Sequence, residues 1–209
     1  MARTAGSVAV GGKSGWQWGT TAETRRGLLE AARAVFAEDG FTNASVAKVV
    51  ERAGSSVGSL YHHFGGKTEL FIALWEDFRG ERDRIVTEAI AKAQAGGETD
   101  PINVFVAGAR AWLGLSWTHR DLELVFTSGD SPPGFEQLRR EHGRVWVRDS
   151  GLLLNVRNNA HGRLTVLALT MLIGEAGQEI AASSSKRQAN ALTAEALKMV
   201  RKLDPRLEA

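Results

Sequence analysis

Apolar residues recur at the three- and four-residue spacing of an amphipathic helix along most of this 209-residue chain. Glycines at Gly40, Gly54 and Gly65–Gly66 separate the first four of these segments. No segment shows sustained alternation of apolar and polar residues bounded by turn dipeptides, so we predict no sheet. The sequence therefore predicts an all-α fold of about nine helices, with three short helices before a larger helical region. The predicted segments are 20–40, 45–54, 56–65, 68–96, 101–117, 120–126, 135–154, 163–182 and 187–203.

The composition allows a well-packed core, but the total charge does not by itself indicate a nucleic-acid-binding protein. Hydrophobic residues make up 43% of the chain, and the net charge is only +2. Residues 1–75 carry 8 basic and 6 acidic side chains, whereas residues 76–209 carry 18 of each, so the small basic excess lies in the first third. The chain has no cysteine, which excludes disulfides and thiolate chemistry within it.

We predict a cytoplasmic protein that is neither an enzyme nor dependent on a cofactor. The most apolar run, 164–173, is shorter than the roughly 20 residues of a membrane span, and the first 15 residues lack the apolar core of a signal peptide. No phosphate-binding loop, Gly-x-Ser-x-Gly turn or His-Glu-x-x-His helix is present. His62 and His63 are adjacent, so their side chains point about 100° apart on a helix. No carboxylate or cysteine stands at a spacing that would complete a metal site with them, so we expect none there.

Three parts are predicted along the chain: an arm (1–19), a three-helix head (20–67) and a larger region (68–209). The arm is rich in Gly, Ser and Ala, which is typical of a flexible segment. Its Trp16 and Trp18 either pack loosely on the first helix or belong to a basic arm that touches a partner. The first helix is predicted to begin at a Thr20–Glu23 capping box.

The segment from Gly54 to Lys67 combines polar, aromatic and cationic side chains on one short helix. Ser45 is the predicted cap of the second helix, and Ser55 or Ser56 caps the third. A helix-turn-helix protein inserts its second motif helix into the major groove, while neighbouring helices hold the phosphates. The two capped helices and the side chains between Gly54 and Lys67 therefore predict a DNA-reading helix. The small residues at its start allow close approach to base edges, where Val57 can touch a thymine methyl.

Residues 40–70 resemble the DNA-binding signature of the TetR family of transcriptional regulators. In this chain the signature reads Gly40-Phe41, Ala44-Ser45-Val46, Ala53-Gly54, Ser56-Val57-Gly58-Ser59-Leu60-Tyr61, His63-Phe64 and Lys67. The resemblance directly covers about 45 of the 209 residues. Two positions depart from it: Ser55 replaces a usually buried apolar residue, and Ala44 replaces a common Ser or Thr, which implies a looser turn and one lost phosphate contact.

The resemblance implies a repressor that binds a double-stranded DNA operator as a homodimer and is released by a small-molecule effector. Contacts to the DNA backbone are implied for Ser45, Ser56, Tyr61, His63 and Lys67, and contacts to bases for Val57, Gly58 and Ser59. Tyr61 has a second interpretation, in which it only covers the edge of the core. A helical adaptor without sequence-specific DNA binding remains the alternative function.

The larger region contains candidates for an effector pocket. Its flat apolar side chains are Phe105, Trp112, Trp117, Phe126 and Trp146, and the candidate polar anchors are Arg110, His119, Arg144 and Glu175. For each aromatic residue the alternative is an ordinary core position. Arginines at 139, 140, 144 and 148 share a helix with acidic residues, which indicates an ion-paired surface, with an acidic effector site as the lesser alternative.

The segment 163–182 is apolar on two sides and therefore needs two partners. One stripe holds Leu164, Leu167, Ala168, Met171 and Leu172, and the other holds Val166, Leu169, Ile173, Ala176 and Ile180. We predict that one stripe joins the core and the other forms a homodimer interface with the stripe Leu192, Ala196, Met199, Val200 and Leu203. The alternative is the central helix of a monomeric bundle. The long fourth helix is expected to carry the effector signal to the head.

Overall fold

The computed structural model describes residues 14–204, with side chains described from Thr21 onward. Within that range the chain forms nine α-helices and no strand, which confirms the all-α prediction. Their bounds are α1 Ser14–Asn43, α2 Val46–Arg52, α3 Val57–Phe64, α4 Lys67–Ala95, α5 Pro101–Thr118, α6 Arg120–Thr127, α7 Phe135–Leu153, α8 Ala160–Ala181 and α9 Lys186–Lys202.

Helix α1 begins earlier than the sequence predicts. It starts at Ser14, so the predicted cap at Thr20 is wrong. The segment before Thr20 contains no proline that would prevent helix formation. Adding a residue to an existing helix gains one hydrogen bond for each residue ordered, so the helix can extend toward the N-terminus. Residues 1–13 and the side chains of Trp16 and Trp18 lie outside the described part of the structure. Gly40, with φ of 73°, interrupts α1 where the sequence predicts a stop.

The head and the first part of the larger region share one hydrophobic core. Phe71 of α4 lies at its centre and is fully buried. The ring of Phe71 meets Phe36 of α1 edge-on at 5.2 Å, and it meets Phe126 and Phe135 of the larger region at 5.3 and 5.0 Å. Such edge-to-face contacts add to the stabilisation from area burial. The head is therefore packed directly on the helices that follow α4.

A second core joins α5, α8 and α9. Leu113, Leu169, Ile173, Ile180 and Leu197 are each at most 1% exposed in it. Helix α5 also approaches α4 closely at Gly108, where an added Cβ would lie only 3.1 Å from Ile90. Helices α4 and α5 are consequently fixed side by side next to both cores.

Helix α8 has the two-sided character that the sequence predicts. Val166, Leu169, Ile173 and Ile180 are buried, whereas Leu164 and Met171 on the other stripe are 65% and 58% exposed. The stripe predicted on α9 divides instead between two sides, because the packing of α9 on α5 and α8 turns some of its members inward. Ala196 and Val200 are buried in this chain's own core, while Met199 and Leu203 are exposed.

Helix α8 is also longer than the apolar run that the sequence singles out. Among the described residues it is the one helix long and apolar enough to cross a membrane, with 22 residues and a mean hydropathy of 1.3 over its most apolar window. The expectation that no segment reaches that length is therefore wrong. The core helix of a soluble protein passes the same test, and one face of α8 packs into the second core.

Candidate nucleic-acid interface and effector cavity

Both helices of the predicted DNA-reading motif are capped by serine. Ser45 Oγ accepts a hydrogen bond from Lys48 N at 3.2 Å, and Ser56 Oγ accepts one from Ser59 N at 3.1 Å. Helix α3 ends at Gly65 in the left-handed conformation, with φ of 91°. Each serine hydroxyl still has its proton to donate, so both caps can also bind a phosphate oxygen.

One face of α3 points away from the protein. Val57 and Tyr61 on this face are 47% and 53% exposed, and Ser56 and Gly58 are exposed as well. Ser59 and His63 are partly buried beside them. On the opposite face Leu60 is fully buried and Phe64 packs against the same core. Of the predicted DNA-facing residues of this motif helix, four are therefore exposed and two are half-buried, and the predicted core anchors lie inward.

Lys67 does not reach outward as the sequence predicts. Its Nζ donates hydrogen bonds to the backbone oxygens of Phe41, Thr42 and Ala44 at 2.8, 3.2 and 2.9 Å, and it lies 4.6 Å from the centre of the Phe41 ring. An ammonium group has three N–H donors, and all three are used here. Lys67 therefore ties the start of α4 to the end of α1, and in this arrangement no donor is left for a phosphate.

Helix α2 is held on the end of α1 by ion pairs. Lys48 Nζ lies 2.7 Å from Asp39 and 3.3 Å from Glu38, and Arg52 lies 2.7 Å from Glu38. The hydrogen bond from Arg52 lowers the pKa of Glu38, and the hydrogen bond to Asp39 raises the pKa of Lys48. These pairs are solvent-exposed, so their main effect is to fix the orientation of α2 rather than to add much stability.

The two departures from the family signature have different consequences. Ala44 is only 4% exposed, so its side chain faces inward, and the loss of one phosphate contact stays a prediction. Ser55 is partly buried, and its backbone N–H donates to Val50 O at 2.9 Å, which closes the turn between α2 and α3. The turn is therefore closed by a backbone hydrogen bond although the usual apolar side chain is missing.

Helices α4 to α8 enclose a cavity of about 640 Å³, which we call the effector cavity. This volume lies within the roughly 300–1,000 Å³ typical of small-molecule sites. Four of the five predicted aromatic residues line it, namely Phe105, Trp112, Phe126 and Trp146. Trp117 does not, because it packs on the second core with the Arg120 guanidinium 4.8 Å from its ring.

None of the four predicted polar anchors lines the effector cavity. His119, for example, points toward α1, where its Nδ1 lies 3.0 Å from Arg33 Nη1 and its Nε2 lies 3.6 Å from Glu81. The predictions for Arg110, Arg144 and Glu175 are likewise wrong, because the helical rotation of each position turns the side chain off this cavity. Helical spacing alone cannot show which side of a helix meets a cavity formed by five helices.

Two buried charged side chains line the effector cavity instead, Arg82 of α4 and Glu123 of α6. They form an ion pair, with side chains only 13% and 7% exposed. Burial raises the pKa of Glu123 and lowers that of Arg82, and the pairing opposes both shifts. Neither residue was predicted from the sequence. The available signal was a charged residue one helical turn from an apolar residue, because Arg82 follows Phe78 by four positions and Glu123 precedes Phe126 by three.

Comparison with known proteins agrees with this architecture. The sequence model for bacterial regulatory proteins of the tetR family matches residues 28–74. The transcriptional repressor AcnR of Corynebacterium diphtheriae is 30% identical over 141 residues, which are 67% of each protein. The chain belongs to the TetR family. The relatives that it matches are named as transcriptional repressors.

Other TetR-family relatives match over different lengths. AcnR of Corynebacterium glutamicum is 35% identical over 96 residues, so the chain spans about half of that relative, 47% of its length. A TetR-like regulator from Rhodococcus sp. RHA1 superposes with a TM-score of 0.63 at 22% identity, covering 87% of this chain and 93% of that one. The transcriptional regulator FadR of Bacillus subtilis, solved in complex with stearoyl-CoA, superposes with a TM-score of 0.67 at 18% identity, covering 84% of this chain and 96% of that one. These two structures share the fold.

Among the described residues no group of three or more His, Asp or Glu side chains could hold a metal ion. The ring centres of His62 and His63 lie 5.3 Å apart, and the ring of His63 also lies 6.2 Å from that of Phe64.

Proposed function

We propose that this TetR-family protein is a homodimeric repressor that binds a palindromic DNA operator in the cytoplasm and is released by a small-molecule effector. The observation that carries the proposal is the outward face of α3, where Val57 and Tyr61 stand exposed on a helix capped at both ends. An exposed valine at the start of a short helix contributes little to folding. At a major-groove surface it can read a thymine methyl.

The proposed roles follow the positions of the side chains. Val57, Gly58 and Ser59 at the start of α3 face the bases. Tyr61 and His63, together with the capping hydroxyls of Ser45 and Ser56, contact phosphates. Lys67 is a positioning residue instead, because its three carbonyl contacts fix the head on α4.

The homodimer is proposed to form through the exposed apolar side of α8 and the adjoining part of α9. Leu164, Leu167, Met171, Met199 and Leu203 are each at least 40% exposed there. Large exposed apolar side chains gathered on two neighbouring helices are typical of an interaction surface. A two-fold dimer presents two copies of α3, which suits an operator whose half-sites lie about 34 Å apart or a multiple of that spacing.

The effector is proposed to bind in the effector cavity and to act through α4. Phe78, Arg82 and Ile90 of α4 line this cavity, while Lys67 and Leu70 at the other end of the same helix contact the head. FadR, which has the same fold, was solved in complex with stearoyl-CoA, and this supports the binding of a small molecule by a chain of this fold. An effector that prefers one position of α4 shifts the population away from the DNA-competent form.

A salt titration of duplex binding tests the proposed function against the adaptor alternative. A dimer that contacts several phosphates releases a counterion at each, so the affinity for duplex falls steeply with salt, with a logarithmic slope of about −0.9 per contact. An adaptor shows no duplex binding at low salt. Absence of binding at the lowest salt concentration would therefore contradict the proposed function.

A further inference from the structure

The effector cavity is built around a column of flat side chains. Phe126 stacks on Phe78, with ring centres 5.7 Å apart and planes inclined by 30°. The Arg82 guanidinium lies between the Phe78 and Trp112 rings, 4.3 and 4.2 Å from their centres. Trp112 then stacks on Trp146 at 4.4 Å and 14°. All five residues line the cavity, so its apolar surface favours molecules that are flat and polarisable.

Three N–H groups of cavity-lining residues have no hydrogen-bond acceptor among the described residues. They are Arg79 Nε, Arg82 Nε and Trp112 Nε1, and each atom is buried. Among the described residues, every buried side-chain oxygen has a hydrogen-bond partner. A buried donor without an acceptor destabilises the state that buries it. The residues that line the cavity therefore hold unpaired buried donors and no unpaired buried side-chain acceptor.

The charged side chains around the cavity also favour a ligand that accepts hydrogen bonds. Glu123 is already paired with Arg82, and Arg79 Nη1 is bonded to Asp83 at 2.7 Å, which leaves the two Nε–H groups unused. A ligand cation would have to compete with Arg82 for Glu123. A ligand oxygen, in contrast, adds hydrogen bonds without breaking that pair.

We propose that the effector cavity binds a flat aromatic molecule that carries a hydrogen-bond acceptor, with a carboxylate as its strongest form. This inference depends on the proposed function, which assigns the cavity to the effector. Because the three N–H groups are shielded, an acceptor reaches them only when the side chains of the column shift. Arg79 and Arg82 both belong to α4, so the shift acts directly on the helix that holds the head.

Three probes with one ring system and different substituents test the ligand class. They are 2-naphthoate, 2-methylnaphthalene and 2-naphthylmethylammonium, and binding to the full chain is measured by calorimetry. We expect 2-naphthoate to bind at least about tenfold more tightly than either of the others, the size of one charged hydrogen bond. Equal affinities, or tighter binding of the ammonium probe, would overturn the proposal.

A pair of tryptophan variants makes the test specific. Trp112→Phe removes one unpaired N–H while keeping a flat ring in the column, and Trp117→Phe makes the same change on the same helix outside the cavity. We expect about a tenfold loss of 2-naphthoate affinity in the first variant only, with 2-methylnaphthalene little changed. Thermal unfolding of both variants shows whether each one folds.

If Trp112→Phe is unstable, the double variant Arg82→Met/Glu123→Gln tests the same point, because it leaves no lone buried charge. We expect this double variant to lose the preference for 2-naphthoate over 2-methylnaphthalene as well.

Failure of this inference and failure of the proposed function give different results. A chain that binds duplex selected from a random pool, but binds 2-naphthoate no better than 2-methylnaphthalene, overturns the ligand class and leaves the regulator intact. A chain that binds 2-naphthoate with the predicted dependence on Trp112, without any change in duplex affinity, supports the ligand class and contradicts effector release.

Discussion

The carboxylate of Asp130 accepts three hydrogen bonds from Thr42, although 88 residues separate them in the chain. Both of its oxygens lie 3.1 Å from Thr42 N, and Oδ1 lies 2.5 Å from Thr42 Oγ1. Asp130 stands in the loop after α6, three residues beyond Thr127, which lines the effector cavity. Gly40 leaves room for this approach, because a Cβ there would overlap with the Asp130 carboxylate. The cavity is thus connected to the head through this loop as well as through α4.

The contact between Asp130 and Thr42 predicts a dependence of stability on pH. Hydrogen bonds from Thr42 lower the pKa of Asp130 below its ordinary value. Because the pKa is lower in the folded state, the contact stabilises the protein above the unfolded value of about 4, and this stabilisation is lost as pH falls through the folded value. We expect Asp130→Asn to unfold at a lower temperature than the unsubstituted protein at pH 7, with the difference closing at acid pH.

Asp77→Asn, a change at an exposed aspartate of α4, serves as the control in the same melting experiment. A difference between the Asp130→Asn and unsubstituted proteins that persists unchanged below pH 3 would show that the carboxylate is not the source of the effect.

Lys67 is predicted to stabilise the head rather than to add a phosphate contact. Lys67→Met removes three hydrogen bonds to carbonyls at the end of α1, and since those carbonyls can be rehydrated we expect a loss of about 1–3 kcal/mol in unfolding free energy. Duplex affinity is expected to fall for all sequences, because the head is less well held. The salt slope of duplex binding is expected to stay the same.

The opposite pattern identifies a phosphate contact. In that case Lys67→Met would leave thermal stability unchanged and reduce the salt slope by about one. Lys67→Arg, which keeps the charge but cannot reproduce the compact ammonium geometry, separates the two roles further.

The sequence predicted what depends on local chemistry. The caps at Ser45 and Ser56, the turn at Gly65 and the two-sided stripes of α8 each follow from residues within one or two helical turns. The misplaced residues depend on distant partners instead. Lys67 finds its carbonyls 23 to 26 residues upstream, and Arg82 finds Glu123 41 residues downstream. No spacing rule links such positions before the packing of the helices is known.

Val57 is predicted to affect sequence preference and not folding. Val57 is 47% exposed at the start of α3, so Val57→Ala is expected to change the unfolding free energy by less than about 0.5 kcal/mol. We expect it to weaken binding by about 1–3 kcal/mol only at operators that place a thymine methyl against this side chain. Leu124→Ala, at a 44% exposed position on α6, is the matched control in competition binding with substituted duplexes. Equal loss on every duplex would contradict base contact by Val57.

The exposed side of α8 is predicted to hold the two protomers together. Met171→Glu places a charge at a 58% exposed position on this side, where burial of an unpaired charge against a second copy is costly. We expect sedimentation to show a folded monomer with greatly weakened duplex binding. Leu152→Glu, at a 76% exposed position on α7, is the control and is expected to remain dimeric. A monomeric unsubstituted protein would contradict the proposed interface outright.

Selection of bound duplexes from a random pool is the most direct test of the claim that the outward face of α3 reads DNA in two symmetric copies. We predict enrichment of an inverted repeat whose half-sites are about one helical turn apart, or a multiple of it. We also predict that Val57→Ala changes the preferred base within each half-site. Recovery of no common sequence, or of a single unrepeated site insensitive to Val57, would contradict that claim.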